Sequence, residues 1–246
     1  MPNRRARDLL LLMSNSGYRQ RLLSMYPANL IGLWSLSETS GTVAADSSAT
    51  GANGTYAASI TLNATTFLDG TPAPLFDANA DVITLPVATL DGPFDPTLGT
   101  LVGWYKVRAA SVWTDGVSRI ATSLGNNASN RVFPAKNSTA NLLNFDYIAG
   151  GTTEERTAAF SSTEWFHMAI TWNKAQDRVR AVLNGVQAGA DMTTLGVWVG
   201  ALANGFSAIG NFTSSGGANF WDGYIKYVGL WNTELTVAEI ATLAVM

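Results

Sequence analysis

One stretch restricts the folds open to this chain more than any other. Residues 165–185 read Trp-Phe-His-Met-Ala-Ile-Thr-Trp-Asn-Lys-Ala-Gln-Asp-Arg-Val-Arg-Ala-Val-Leu-Asn-Gly. Successive side chains of an extended strand point to opposite faces, so Phe166, Met168, Ile170 and Trp172 share a large apolar face, and Trp165, His167, Ala169 and Thr171 share the other. The polar run 173–177 is turn material. Beyond it Val179, Ala181 and Leu183 alternate with Arg178 and Arg180, a second strand with one wet face. Asn184-Gly185 tolerates positive φ and reverses the chain again into residues 186–188. The centre of the chain is an antiparallel meander.

Short strands continue the pattern on both sides at the spacing of β-sandwiches. Residues 29–36 are the first, with Leu30, Gly32, Trp34 and Leu36 on one face and Ile31, Leu33 and Ser35 on the other. In residues 101–108, Val102, Trp104 and Lys106 alternate with Leu101, Gly103, Tyr105 and Val107. Residues 118–124, 131–133, 142–148 and 157–160 follow, and 206–211 and 220–231 close the series. Pro72, Pro74, Pro86, Pro93 and Pro96 keep central strands away from those points, because proline cannot donate to a ladder. Residues 125–130 and 150–155 read as loop tips. A chain of 246 residues, 47% of them hydrophobic, can close one such core without a staple. The absence of cysteine removes disulfides and thiolate metal sites together.

The two ends differ from the body. Arg4, Arg5, Arg7, Arg19 and Arg21 face only Asp8 within residues 1–26, although the whole chain carries a net charge of −3. A basic arm is joined to an acidic body, which argues against nonspecific nucleic-acid binding by the sandwich. Residues 3–13 are expected to form a helix ending in Leu9, Leu10, Leu11 and Leu12, too short an apolar run to span a bilayer, which needs about 20 residues, or to form a signal-peptide core. In a second helix, Tyr18, Leu22, Met25 and Tyr26 share one face, and Pro27 ends it. The expected domains are therefore a helical arm, 1–27, and a sandwich, 28–246. Arg4, Arg5, Arg7, Leu9 to Leu12, Tyr18 and Leu22 are the candidate docking contacts of the arm, although the simpler expectation for the second helix is that it covers one end of its own sandwich, which leaves docking to residues 1–16. At the other end Thr236 and Glu239 form a capping box, and Leu235 and Ile240 a staple, for a short closing helix.

Three motifs together resemble the laminin-G-like, concanavalin A-like lectin/glucanase superfamily: the aromatic-x-His-x-Ala-x-Thr strand at 165–171 with its Asn-Gly turn, the Trp34 strand followed by Glu38-Thr-Ser-Gly, Asp46-Ser-Ser and Asn53-Gly-Thr-Tyr, and 206–243 ending in Leu-Thr-x-x-Glu-Ile-x-x-Leu. The resemblance implies an all-β antiparallel two-sheet jelly-roll sandwich. It also implies calcium candidates in Glu38 and Asp46, whose simpler role is to bond nearby backbone amides. The family's Gly-x-Ile-Asp reads Gly223-Tyr224-Ile225-Lys226 here, which replaces a carboxylate by an ammonium. No metal or other cofactor is otherwise indicated.

Chemistry is scarce. Retaining glucanases need two carboxyl groups about 5 Å apart, and the Glu-x-Asp-x-x-Glu strand that supplies them in the family is absent. Glu154 and Glu155 are adjacent and fall in an expected turn. His167 is the sole histidine and lies on a core strand. Trp113, Trp198 and Trp221 lie near loop-like sequence and are the candidate platforms for a sugar ring. A lone sandwich with a neutral surface, behind a Tyr18-x-x-x-Leu22-Leu-x-x-x-Pro27 helix, is similar to virion proteins of tailed bacteriophages. The expectation is a non-enzymatic decoration or adhesion protein at a virion surface, docked through residues 1–26 to other subunits and to copies of itself, with a host glycan as ligand. The alternative is an extracellular carbohydrate-binding module.

Overall fold

The computed structural model describes residues 17–77, 79–212 and 219–246. Two antiparallel sheets face each other. The first runs in the order β15 (Val186–Gln187), β14 (Arg178–Leu183), β13 (Phe166–Asn173), β7 (Leu98–Val107), β17 (Asp222–Trp231), β5 (Pro72–Asp77) and β4 (Thr61–Thr66), with β1 (Leu30–Trp34) also paired to β17. The second runs β12 (Thr152–Ala159), β11 (Leu142–Ala149), β10 (Asn130–Lys136), β9 (Thr122–Asn127), β16 (Ala208–Ile209), β6 (Ile83–Thr84), β3 (Gly54–Tyr56) and β2 (Val43–Ala44), with β8 (Arg119–Ile120) also paired to β10. Helix α1 covers residues 17–24, α2 is Val87–Leu90 and α3 is Val237–Leu243.

The meander forms where the period-two pattern places it. Met168 pairs with Leu183 and with Gly103, so β13 lies between β14 and β7. Phe166, Met168, Ile170 and Trp172 fill the layer between the sheets with Leu101, Tyr105 and Val107. Ala169, Val102 and Trp104 face the other way, onto a second apolar layer capped by Tyr18 and Leu22 of α1 and by Ile240 and Leu243 of α3. The capping box is made, Glu239 N donating to Thr236 Oγ1 at 3.2 Å and Thr236 N to Glu239 Oε2 at 2.8 Å.

Local chemistry moved four expectations. The regular alternation across residues 29–36 breaks at a bulge between Leu30 and Gly32, so Ile31 and Trp34 both enter the central layer while Leu30 and Leu33 face outward. Gly32 is required there, since a Cβ would fall 2.3 Å from the Trp34 ring. Pro72 and Pro74 do sit in a strand flanked on both sides. Pro72 pairs with Thr66 of β4, Pro74 falls where the β4 register slips, and β17 first joins at Leu75, so neither proline is called on to donate to a second neighbour. The turn expected over 150–155 is confined to Gly150 and Gly151, both at positive φ, and Glu154 and Glu155 belong to β12. Tyr18 and Leu22, expected as docking contacts, are buried in their own domain. Tyr18 donates its hydroxyl to the Leu243 carbonyl at 2.8 Å and accepts from Trp104 Nε1 at 2.7 Å, which stitches α1 to α3 and to β7. Arg4, Arg5, Arg7 and Leu9 to Leu12 lie outside the described residues. Among the described residues no helix is long and apolar enough to cross a membrane.

A candidate binding face on the second sheet

The outer face of the second sheet is set by the register of β10, β11 and β12. Val132, Leu143, Phe145 and Tyr147 point into the central layer. Their neighbours therefore point out, in three rows: Arg131, Ile148 and Thr153; Phe133, Asp146 and Glu155; Ala135, Asn144 and Thr157. Phe212, reached from β16, lies over this face, its ring centroid 5.7 Å from that of Phe133 and edge-on to it. The Arg131 guanidinium stands 4.9 Å from the Phe133 centroid and 4.8 Å from that of Phe212, a planar cation held by two ring faces.

Asp146 is only 3% exposed. It accepts from Asn144 Nδ2 at 3.2 Å, and Asn144 Oδ1 accepts from Asn137 Nδ2 at 2.6 Å. The Glu155 carboxyl stands directly across from it on β12. Burial first, and then the charge of Glu155, push Asp146 up to about 7, against the opposing pull of Arg131. The unfolded chain releases this proton near 3.8. Asp146 therefore contributes stability that is complete below that value and lost as the pH rises to about 7. Melting curves of wild type and Asp146→Asn between about pH 4 and 8 should show wild type losing ground to the variant as the pH rises through this window. A difference that stays constant with pH would contradict the raised Asp146.

The three tryptophans expected as sugar platforms are in the core instead. Trp113 packs on Phe160 and Phe166 and donates Nε1 to the Ser162 carbonyl at 2.9 Å. Trp221 packs on Tyr105 and Phe166. Trp198 packs on Phe94 and Tyr147 and donates to the Gly200 carbonyl, while its neighbours Val197 and Val199 face solvent. An indole at the open end of a sandwich removes more apolar area from water by turning inward than any loop residue beside it, so proximity to a loop did not translate into exposure.

The calcium candidates are also engaged by the protein. Asp46 accepts from the main-chain amides of Leu33, Ser48 and Ala52 and from the Ser48 hydroxyl, and Glu38 from the Ala45 amide and the Tyr56 hydroxyl. Lys226 is buried, its ammonium bonded to the carbonyls of Leu36 and Pro72 and to Ser37 Oγ, and burial pushes it down to about 7. Its ammonium already fills a nest of oxygens. Among the described residues no three acidic or histidine side chains gather to hold a metal. His167 is buried against Trp104 with both ring nitrogens unpartnered, and burial lowers it to about 3.

Arg131, Phe133, Asp146, Glu155 and Phe212 were not anticipated. The alternation of Arg131 with Val132, and of Asn144 and Asp146 with Leu143 and Phe145, was a visible signal that both strands have an outer face carrying polar groups. Which residues stand opposite one another depends on hairpin register, and Phe212 comes from a distant segment.

This two-sheet architecture places the chain in a class. Residues 77–241 match the laminin-G-type model of the concanavalin A-like lectin/glucanases superfamily, and the chain belongs to that superfamily. Similar solved structures include the botulinum neurotoxin serotype D binding domain (12% identity, TM-score 0.65, covering 89% of this chain and 52% of that one). They also include a botulinum neurotoxin serotype D ligand binding domain in complex with N-acetylneuraminic acid (11%, 0.66, 91% and 52%) and a Trypanosoma rangeli sialidase bound to 2,3-difluoro-KDN (16%, 0.66, 95% and 38%). These identities establish a shared, lectin-like fold. The chain spans about half the length of the toxin domains and 38% of the sialidase. No curated protein matches in sequence.

Proposed function

We propose that this is a non-catalytic virion protein, docked on its particle through the segment preceding α1 and presenting the outer face of the second sheet to a glycan. The observation that carries this reading is the opposition of the two ends. Helix α1, through which residues 1–16 join the domain, lies on the outer face of the first sheet, and the Arg131, Asp146 and Glu155 face lies on the outer face of the second. A module anchored at one side and read at the other needs that separation. The basic, leucine-rich sequence of residues 1–16 and the scarcity of surface charge, 13% of residues, support docking through largely neutral contacts. A polar face carrying amides, hydroxyls, a carboxyl pair and a guanidinium suits the hydroxyls of a sugar.

Turnover is disfavoured by the geometry of the acids. Asp146 is 3% exposed, whereas a retaining glycosidase needs both of its carboxyls, about 5 Å apart, open to the sugar carbon between them. Deleting residues 1–16 should abolish incorporation into the particle while the purified domain melts as wild type does. Retained incorporation would refute the arm. A second reading, an extracellular carbohydrate-binding module without a particle, is favoured by the lectin-like fold itself. Glycan binding by the isolated domain, together with failure of the full chain to incorporate into any particle, would put it first.

A further inference from the structure

We infer that the outer face of the second sheet selects a saccharide bearing a carboxylate, gripped by Arg131 between Phe133 and Phe212. This rests on the reading of that face as a glycan-adhesion surface and adds the chemical class of the ligand.

The other described arginines are engaged by the protein. Arg19 bonds Ser47, Arg21 the carbonyls of Thr242 and Val245, Arg108 Asp222, Arg119 Asp115, Arg156 the Ala190 carbonyl, Arg178 Glu234, and Arg180 both Asp191 and Glu234. Arg131 has two aromatic contacts and no hydrogen bond or ion pair, and its Nε is buried without an acceptor. The Nε is sealed from solvent, as that of Arg156 also is, so the edge left to an incoming acceptor is the pair of terminal amino groups, which reach solvent and have no protein partner. The acceptor that fits a guanidinium edge is planar and bidentate, namely a carboxylate. The two rings fix the plane of the fork in advance, so little side-chain freedom remains to be lost on binding.

The neighbours decide in favour of a monoanion. Asp146 lies diagonally across from Arg131 in the next row, with Glu155 beyond it, and these three are the charged groups of the patch. With Asp146 raised to about 7 and standing across from Glu155, the two acids carry fewer than two negative charges at and below neutral pH. A dianionic phosphate would meet more repulsion than a carboxylate does, and a further proton on the pair eases entry of the anion. Thr153 and Thr157, exposed beside the pair, and Asn144 are placed to meet ring hydroxyls.

Galactose and galacturonic acid differ at one carbon by the carboxylate, so titration calorimetry of the full chain with both, with N-acetylneuraminic acid and with galactose 6-sulfate separates the possibilities. The two carboxylate sugars should bind at least about tenfold more tightly than galactose, and more tightly than the sulfate, whose tetrahedral oxygens match the planar fork less well. Arg131→Gln should lower acid-sugar affinity at least about tenfold and leave galactose unaffected, and Arg131→Lys, which keeps the charge and loses the fork, should also fall short of wild type. Lowering the pH from about 8 to about 6 should tighten acid-sugar binding in wild type and much less in Asp146→Asn. Melting curves establish that both Arg131 variants are folded, and Arg131→Lys carries the test if the glutamine variant is not. Equal binding of acid and neutral sugars, stronger binding of the sulfate, or indifference to Arg131 overturns the inference and leaves glycan adhesion standing. Failure of every sugar, acid or neutral, on these monosaccharides and on a glycan array overturns both.

Discussion

Tyr18→Ala should lower the unfolding free energy by about 3–5 kcal/mol, read as a fall in the urea midpoint at unchanged slope. The ring is 1% exposed and meets Trp104 and Tyr227 edge-on, with centroids 6.3 and 4.9 Å away. Its removal leaves a cavity and also strips Trp104 Nε1 of its acceptor and the Leu243 carbonyl of its donor. Tyr18→Phe keeps the ring and should cost about 1–2 kcal/mol, the share of the hydroxyl. A loss below about 1 kcal/mol in the alanine variant would mean that α1 rests on the sheet without being part of the fold. With the expected loss, the boundary between arm and domain lies before α1, and a truncation that removes residues 1–27 should unfold what a truncation of residues 1–16 leaves intact.

Asp46→Ala should cost a comparable amount, about 3–5 kcal/mol, because one carboxylate serves three main-chain amides and a hydroxyl. Leu33 N, Ser48 N and Ala52 N approach it at 2.8, 2.8 and 2.7 Å, and the Ser48 hydroxyl at 2.7 Å. Each amide left without an acceptor in a partly buried turn costs about 1 kcal/mol or more. Calcium should not restore the variant, and a chelator should leave the melting of wild type unchanged. A fall of more than about 5 °C on chelation would return Glu38 and Asp46 to the metal ligands.

Fold was readable in the sequence because its signals are local. The faces of β13 and β7, the Asn-Gly reversal and the Thr236–Glu239 cap each depend on residues a few positions apart, and the structure keeps them. Ile31 shows where local reading stops: one bulge inverted its face, and nothing in residues 29–36 announces a bulge except Gly32, whose need is dictated by how Trp34 folds back. The binding face was harder for the same reason. Asp146 meets Glu155 only through the register of β11 with β12, and Arg131 is clamped only because Phe212, 81 positions along the chain by its number, lands beside Phe133. The tryptophans attracted attention through size and loop proximity, but those properties favour burial.

Sheet edges decide what happens when many copies of a β protein stand side by side. The first sheet ends in β15, two residues long, and in β4, whose pairing slips between Thr61 and Thr65 around Asn63 at φ 52°. The second ends in β2, also two residues, and in β12, whose long rim carries Glu154, Glu155 and Arg156. Short, kinked or charged rims give an incoming strand no template on which to zip. Crowded copies can therefore touch through side chains without fusing into a continuous ribbon, and each keeps its own face open to the surroundings.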